Sequence, residues 1–252
     1  MKKIDLKHKT VLITGATRGI GQAIAQNFYD AGANLIVTGT SKNGENLLLK
    51  SMENLNSSQN INYYSVDFRH IEEVHSFLNV LKSKDRIDIC INNAGSNQIK
   101  MIKDISYKDI TNLHKVNLNA PFLILSVVLE KMKKNNWGRV VNIGSLWSKL
   151  SREGRSIYSS SKYGLMGLTV TAALEYASFN VLVNMVSPGF VRTDLSKATL
   201  SKREKEEIES KIPIGKFARP IDIANTVLFL CSEMNNYITG QNIIVDGGYI
   251  CE

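Results

Sequence analysis

The stretch "TVLITGATRGIG", residues 10–21, carries the strongest structural signal in the chain. It starts as a short apolar run and passes into a turn that contains Gly15, Gly19 and Gly21. Because glycine has no Cβ, such a turn can be tight, and a phosphate can approach its backbone at the start of the next helix. A strand, this turn and a helix in succession therefore predict a dinucleotide-binding unit. The alternative is a βα turn that is tight for structural reasons only.

Six further runs of the same kind follow along the chain. Most of the seven are almost continuously apolar, as expected of parallel strands buried on both faces. Helical patterns alternate with them, which predicts an α/β class: a single-domain Rossmann fold with a doubly wound, seven-stranded parallel sheet and helices on both faces. The strand runs are "TVLITG" (10–15), "NLIVTG" (34–39), "INYYSV" (61–66), "IDICIN" (87–92), "RVVNIG" (139–144), "VLVNMVS" (181–187) and "NIIVDG" (242–247), and the helical patterns cover 19–31, 44–56, 70–83, 106–134, 156–178 and 220–233.

The overall composition is that of an ordinary globular protein. The 252 residues are 43% hydrophobic and 21% charged, with no linker, repeat or low-complexity tract, so residues 1–252 are interpreted as one domain. No apolar run approaches the ~20 residues of a membrane span, and "VLITG" is too short for a signal peptide. We therefore expect a cytoplasmic protein with no membrane contact. Neither the three cysteines nor the four histidines are grouped as metal ligands, and no metal is predicted.

The formal net charge is +8. The lysines and arginines are scattered and accompany no nucleic-acid-binding motif, so no nucleic acid partner is expected. The charge instead favours an anionic cofactor or substrate.

Residues 190–216 interrupt the alternation as a long insert before the last helix. "SKRE" (201–204) resembles a helix capping box, with Ser201 at the N-cap and Glu204 bonding back to it. An insert at this edge of the sheet could be a solvated helix, a lid over an active site, or both.

The end of the second strand indicates which dinucleotide is bound. An acidic residue usually stands here to hold the ribose hydroxyls, but the segment "TGTSKNG" (38–44) contains none. Thr40, Ser41 and Lys42 offer donors and a positive charge, and Arg18 lies in the glycine turn. These groups favour the 2′-phosphate of NADP(H) over NAD(H). Solvated surface positions for Arg18 and Lys42 are the alternative.

The segment "SIYSSSKYGL" (156–165) places Tyr158 and Lys162 four residues apart, on one face of a predicted helix. A free phenol has a pKa of about 10, and a neighbouring ammonium lowers it by favouring the phenolate. The pair is therefore a candidate for proton transfer near neutral pH. A tyrosine packed along a surface lysine is the alternative.

In their order and spacing, these and other motifs resemble the short-chain dehydrogenase/reductase family, closest to its 3-oxoacyl-[acyl-carrier-protein] reductase branch. The resemblance covers essentially the whole chain. It rests on "TGATRGIG" (14–21), Asp67, "NNAG" (92–95), "VNLNA" (116–120), "GRVVNIGS" (138–145), "YSSSK" (158–162), "SPGFVRT" (187–193) and "ITGQNIIVDGG" (238–248).

The resemblance implies a catalytic set. Tyr158 is the expected general acid, or base in the oxidative direction, and Lys162 also holds the nicotinamide ribose. Ser145 would orient the substrate carbonyl, and Asn117 would hold a water that passes protons to the lysine. From the glycine turn, the charges after the second strand and the resemblance together, the candidate cofactor-binding residues are Gly15, Thr17, Arg18, Gly19, Ile20, Gly21, Thr40, Ser41, Asp67, Phe68, Asn93, Ala94, Gly95, Tyr158, Lys162, Pro188, Gly189, Val191 and Thr193. The candidate substrate-binding residues are Ser145 and Tyr158, with Trp147 and Arg155 from the segment that follows Ser145.

The resemblance also implies a ketoreductase of fatty-acid synthesis, but two features differ from that branch. Asn136 and Phe179 stand where its members carry arginines that grip the carrier protein, although Lys131, Lys133 and Lys134 are close in sequence. The segment "SLWSKLSREGRS" (145–156) is polar where the branch has small, apolar or Gly-rich residues, which favours a sugar or another polar ketone as substrate. A solvated loop edge with no substrate contact is the alternative.

A non-catalytic dinucleotide sensor is a further alternative, although a sensor has no need of the catalytic set. The family resemblance also implies a homo-oligomer, a tetramer or a dimer. The helices near 106–134 and 156–178 and the last strand would form its contacts.

Overall fold

The computed structural model describes residues 4–55, 58–193 and 201–251. Its seven strands form one parallel sheet in the order β3-β2-β1-β4-β5-β6-β7. They are β1 (Thr10–Ile13), β2 (Asn34–Gly39), β3 (Ile61–Ser65), β4 (Ile89–Asn92), β5 (Gly138–Ile143), β6 (Val181–Pro188) and β7 (Asn242–Val245). The seven-stranded Rossmann-type sheet predicted from the sequence is confirmed.

The helices fill the connections between the strands. Within the described ranges they are α1 (Gly19–Asp30), α2 (Gly44–Ser51), α3 (Ile71–Ser83), α4 (Tyr107–His114), α5 (Ala120–Lys134), α6 (Ser156–Tyr176), α7 (Lys202–Ser210) and α8 (Pro220–Cys231). In the described part of the chain, none of these helices is long and apolar enough to cross a bilayer.

Alternating residues of each strand contact helices on opposite faces of the sheet. Val11 and Ile13 of β1 pack in the core that contains α1, α2 and α8, whereas Leu12 packs in the core that contains α3, α5 and α6. Cys90 is fully buried within the second core, as the apolar run around it predicts. The sheet is therefore covered by helices on both faces, as in a doubly wound fold.

The strand order reverses between β1 and β4. The chain adds β2 and β3 on one side of β1, then crosses over and adds β4 to β7 on the other side. In such sheets a crevice opens at the carboxyl ends of the two strands where the direction changes. The glycine turn follows β1 and the "NNAG" motif begins at the end of β4, so both lie at this crevice.

The predicted helical segment 106–134 is interrupted. A π-helical turn, Lys115–Asn119, separates α4 from α5. Pro121 has no N–H to donate to the carbonyl of Asn117 four residues earlier, so α-helical bonding cannot be continuous there. Single π turns of this kind often occur at functional sites.

The insert before the last helix contains α7. As the sequence predicts, Ser201 and Glu204 form a reciprocal capping box at its start. Nη2 of Arg192 lies 3.1 Å from Oε1 of Glu209 and links the two described parts of the insert. Residues 194–200 of the predicted insert lie outside the described residues, and its action as a lid stays a prediction.

Buried side chains connect the middle of the sheet to α6. Nδ2 of Asn92 donates to Oδ1 of Asn142 at 2.8 Å, and Nδ2 of Asn142 donates to Oγ1 of Thr169 at 2.9 Å. The Thr169 hydroxyl in turn donates to the carbonyl of Leu165 at 2.7 Å. We call this series the Asn92–Thr169 chain; it joins β4, β5 and α6 through groups that are shielded from water.

Candidate active site

The glycine turn is held closely against the loop that follows β4. Gly15 has a φ of +65°, a conformation that glycine adopts without steric cost. Nδ2 of Asn93 donates to the carbonyls of Thr14 and Gly15, both at 2.9 Å. A Cβ on Gly21 would collide with the Gly15 carbonyl and with the Asn93 amide. The turn therefore requires glycine at position 21.

The turn forms one wall of a pocket of about 540 Å³ at the carboxyl edge of the sheet. Arg18 precedes α1 without a side-chain cap, and the first turn of α1 contains no acidic residue. The N-terminus of α1 is thus open to an anion such as a pyrophosphate. Thirteen of the predicted cofactor residues line this pocket: Gly15, Thr17, Arg18, Gly19, Ile20, Gly21, Thr40, Asp67, Phe68, Asn93, Ala94, Gly95 and Thr193.

Six predicted cofactor residues lie outside this pocket lining: Tyr158 and Lys162, which belong to the catalytic set described below, and four others. Ser41 borders a separate surface depression together with Asn43. Pro188 ends β6, and the backbone N–H of Gly189 donates to the Val245 carbonyl at 2.9 Å. Val191 is buried and forms a β-bridge with Ala218.

The pocket also contains residues that the sequence reasoning missed, among them Arg69. The Arg69 guanidinium donates through Nε and Nη2 to the carboxylate of Asp67. These bonds are the largest cause of the lowered pKa of Asp67. The signal that could have revealed Arg69 is its position two residues after Asp67, at the same strand end.

The predicted catalytic residues meet beside this pocket. Ser145 follows β5, and its hydroxyl is hydrogen-bonded to the half-buried phenol of Tyr158 on α6. Lys162 is buried one turn further along α6, and its Nζ donates to the Ile143 carbonyl at 2.8 Å. The same Nζ lies 5.8 Å from the centre of the Tyr158 ring.

The pKa of Tyr158 is shifted in the opposite direction from the one expected. Burial raises the pKa of the phenol above its ordinary value, against the lowering effects of the Ser145 hydrogen bond and the Arg155 charge. Burial also lowers the pKa of Lys162 to about 8. The expectation that Lys162 brings the pKa of Tyr158 below its usual range is therefore wrong, because desolvation of the phenol dominates and the opposing charge belongs to Arg155.

Asn117, in the π turn, forms hydrogen bonds with the loop after β4 and with α6. Its Oδ1 accepts from the Ser96 backbone N–H at 2.8 Å, and its Nδ2 donates to the Ser96 carbonyl at 2.9 Å and to Oγ of Ser161 at 3.1 Å. Both ends of the side-chain amide are thus hydrogen-bonded to protein groups. A water held by Asn117, as the family resemblance implies, would have to use its backbone.

The polar segment after Ser145 is more buried than its sequence suggests. Trp147 is 8% exposed, with the guanidinium carbons of Arg152 and Arg155 lying 5.2 and 5.4 Å from its ring centre. Arg155 is itself buried, whereas Lys149, Arg152 and Glu153 are exposed. The predicted substrate residues Trp147 and Arg155 therefore form an inner layer beneath a charged rim.

Comparisons with known proteins agree with this geometry. A family model described as enoyl-(acyl carrier protein) reductase matches residues 15–250. A 3-oxoacyl-[acyl-carrier-protein] reductase of Aquifex aeolicus is 41% identical over 249 residues, which cover 98% of this chain and 99% of that protein. The corresponding reductase of Buchnera aphidicola is 36% identical over 246 residues, or 97% of this chain and 98% of that protein.

Solved structures give the same fold. One, provisionally assigned as an NAD(P)-dependent gluconate 5-dehydrogenase of Beutenbergia cavernae with NADP at low occupancy, aligns with a TM-score of 0.92 and 28% identity over 99% of this chain and 100% of that one. ElxO with NADP bound aligns with a TM-score of 0.86 and 29% identity over 97% and 99% of the two chains. Since the matches span nearly the full length and include the glycine turn and the Ser145–Tyr158–Lys162 cluster, the chain belongs to the short-chain dehydrogenase/reductase family of oxidoreductases, which act on C=O and CH–OH groups.

Proposed function

We propose that the protein reduces a 3-oxoacyl thioester, carried by an acyl carrier protein, to the 3-hydroxyacyl form with NADPH. The meeting of the Ser145 and Tyr158 hydroxyls beside the dinucleotide pocket carries the reductase assignment. The full-length similarity to 3-oxoacyl-[acyl-carrier-protein] reductases supports this substrate class.

The reduction requires a hydride for the carbonyl carbon and a proton for its oxygen. Bound NADPH supplies the hydride. The hydroxyl of Ser145 orients the carbonyl oxygen, and Tyr158 donates its phenolic proton to the alkoxide that forms. The ketone is thus reduced to an alcohol, and the phenolate left at Tyr158 regains a proton before the next turnover. Lys162 would hold the nicotinamide ribose when the cofactor is bound.

NADP(H) is the cofactor of the proposed reaction. The pocket lining contains the positive groups of Arg18 and Arg69, and Thr40 lines it at the end of β2. The acidic residue in the lining is Asp67, which follows β3 and is paired with Arg69. A 2′-phosphate near Thr40 therefore meets no carboxylate of the described lining. The NADP bound to two of the structural neighbours supports this choice.

Replacing Thr40 by aspartate tests the cofactor preference. We expect Thr40→Asp to raise the dissociation constant for NADPH at least about tenfold, because its carboxylate would repel the 2′-phosphate. Binding of NADH should change little. Titration of cofactor fluorescence measures both constants, with Thr40→Asn as the uncharged control. Equal weakening of NADH and NADPH binding would refute the assignment.

A reductase for a sugar or another polar ketone, of the kind used in surface polysaccharide synthesis, is the second candidate. The rim formed by Lys149, Arg152 and Glu153 beside the site favours it. So does the structural similarity to proteins provisionally assigned as gluconate dehydrogenases. Two lysines that could have contacted a carrier protein are already engaged, since Nζ of Lys131 donates to the Lys82 carbonyl at 2.9 Å and Lys133 lies over the Phe179 ring.

The substrate is tested by NADPH oxidation, followed at 340 nm, with acetoacetyl carrier protein, acetoacetyl-CoA and 5-ketogluconate. Fastest turnover of the carrier-bound substrate would support the first candidate, and fastest turnover of the keto acid would support the second. NADPH binding with no turnover of any ketone would favour the non-catalytic sensor. A Lys134→Glu variant adds a control, because loss of this exposed positive charge should impair the carrier-bound substrate more than the CoA thioester.

Self-association belongs to the same proposal. Tyr163, Val170 and Leu174 form an exposed apolar stripe on α6, and Leu174 is 79% exposed. Phe122 on α5 is also exposed. These side chains suit pairing with a second copy, as a dimer or a tetramer in the cytoplasm. Light scattering on the intact protein measures the particle mass, and a monomer would contradict this proposal.

A further inference from the structure

Two hydroxyl groups of β3 hold the loop that joins β2 to α2, residues 40–43. The hydroxyl of Tyr63 donates to the Ser41 carbonyl at 2.5 Å, and Oγ of Ser65 donates to the Thr40 carbonyl at the longer distance of 3.5 Å. Tyr63 and Ser65 are two residues apart on one strand, so they lie on the same face of the sheet. Burial raises the pKa of the Tyr63 phenol, which therefore stays protonated and donates at neutral pH.

The Tyr63 phenol occupies a space that two glycines leave open. Gly39 is the last residue of β2, and Gly44 is the first residue of α2. A Cβ on Gly44 would collide with the Tyr63 ring and hydroxyl, and a Cβ on Gly39 would collide with the same hydroxyl and with Thr17. Gly39 and Thr17 both line the dinucleotide pocket. The phenol therefore packs against the part of the pocket wall that ends β2.

The direction of the two held carbonyls fixes the direction of two backbone donors. In a trans peptide, the C=O and the N–H point to opposite sides of the chain. The carbonyls of Thr40 and Ser41 are directed at hydroxyls of β3, so the N–H groups of Ser41 and Lys42, which belong to the same two peptides, are directed away from β3. In the described part of the chain, neither N–H donates to a protein group. Both are thus available to an anion.

The surroundings of these two donors suit a phosphate. Thr40 lines the dinucleotide pocket together with the positively charged Arg18. Lys42 is exposed, and residues 38–44 contain no acidic side chain that would repel an anion. The 2′-phosphate is the anionic group that NADP(H) has and NAD(H) lacks. The loop after β2 therefore offers it backbone donors as well as side chains.

We propose that Tyr63 is a positioning residue for the 2′-phosphate of NADP(H): by holding the Ser41 carbonyl, its hydroxyl turns the N–H of Lys42 toward the phosphate. Tyr63 acts through the loop, since its hydroxyl is bonded to the backbone. Ser65 supports the neighbouring peptide through its longer bond. The role rests on NADP(H) as the cofactor and holds whichever ketone is reduced.

Two nucleotides that differ only by the 2′-phosphate test this role without any substrate. Isothermal titration calorimetry on the full chain gives the dissociation constants for 2′,5′-ADP and 5′-AMP. We expect Tyr63→Phe to raise the constant for 2′,5′-ADP about fivefold, the effect of losing about one net hydrogen bond, and to leave that for 5′-AMP unchanged. Tyr64→Phe is the matched control. Its ring packs near Phe77 on the opposite face of the sheet, so both constants should stay the same.

A second variant disturbs the same hydrogen bond from the loop. Gly44→Ala places a Cβ where the phenol lies, so the Tyr63 side chain must move. We expect the same selective loss of affinity for 2′,5′-ADP, with little further loss when Tyr63→Phe is added. Independent, additive losses in the double variant would show that the two residues do not act through one hydrogen bond.

Two results with Tyr63→Phe would overturn the proposal alone. Equal weakening of both nucleotides would show that the hydroxyl only maintains the fold around β3. Unchanged affinity for 2′,5′-ADP would show that the loop keeps its donors in place without Tyr63. If the unsubstituted protein bound 2′,5′-ADP no more tightly than 5′-AMP, the NADP(H) assignment itself would fail, and this proposal would fail with it.

Discussion

Tyr158→Phe is expected to lower the rate of NADPH-dependent ketone reduction by a factor of about 10² to 10⁴, the range typical for loss of a positioned proton donor. The substitution removes the phenolic oxygen that is hydrogen-bonded to Ser145, and it leaves the ring in place. Ketone binding should therefore change far less than turnover. Stopped-flow measurement of a single turnover at saturating NADPH separates the chemical step from product release.

A matched control variant shows whether the loss of turnover is specific to Tyr158. Tyr237→Phe removes the same atom from a side chain that is 94% exposed and lies after α8, so its turnover should equal that of the unsubstituted protein. The NADPH dissociation constant should stay within about threefold of the original in both variants, a change below 1 kcal/mol. Turnover by Tyr158→Phe at more than a tenth of the original rate would remove Tyr158 from the role of proton donor.

Gly21→Ala is expected to weaken NADPH binding at least about tenfold and to lower the free energy of unfolding by about 1–3 kcal/mol. The new methyl group would collide with the Gly15 carbonyl and with the Asn93 amide, and the backbone atoms of the turn cannot simply rotate away. Relief of the collision must shift the turn relative to the loop after β4. The phosphate-binding wall of the pocket then loses its shape.

The two effects of Gly21→Ala are measured by NADPH fluorescence titration and by urea unfolding monitored by circular dichroism. Gln22→Ala, at the next residue of α1, serves as the control because it adds no atom to the turn. Both of its values should remain close to those of the unsubstituted protein. NADPH affinity unchanged in Gly21→Ala would mean that the cofactor does not depend on the close packing of this turn.

The sheet could be predicted from the sequence because each strand is encoded by a short local run of apolar residues. The run around Cys90 is apolar on both faces and proves to be buried on both, as a central strand requires. The two outermost strands, β3 and β7, are less completely buried, in keeping with their places at the edges of the sheet. The glycine turn also has a local cause, since the lack of a Cβ at Gly21 is visible in the sequence.

The parts of the site that escaped prediction depend on distant contacts. The burial of Arg155 arises from Asn97 and Trp147, which lie 58 and 8 residues away in sequence, and no local pattern reports it. The pKa of Tyr158 likewise depends on how completely the surrounding elements exclude water. The π turn differs from these features, because its cause is visible in the sequence. Pro121 has no N–H to donate to the Asn117 carbonyl, so the helix cannot continue unbroken through this point.

The Asn92–Thr169 chain has a consequence for the local stability of the molecule. Its hydrogen bonds run from β4 through β5 to α6, so α6 cannot separate from the sheet without leaving buried amide groups unpaired. Amide protons in the middle of α6 should therefore exchange with deuterium only through global unfolding, whereas those of α7, which has no buried residue, should exchange through fraying. Tyr158 and Lys162 therefore belong to a helix, α6, that we expect to be among the last elements of the protein to unfold locally.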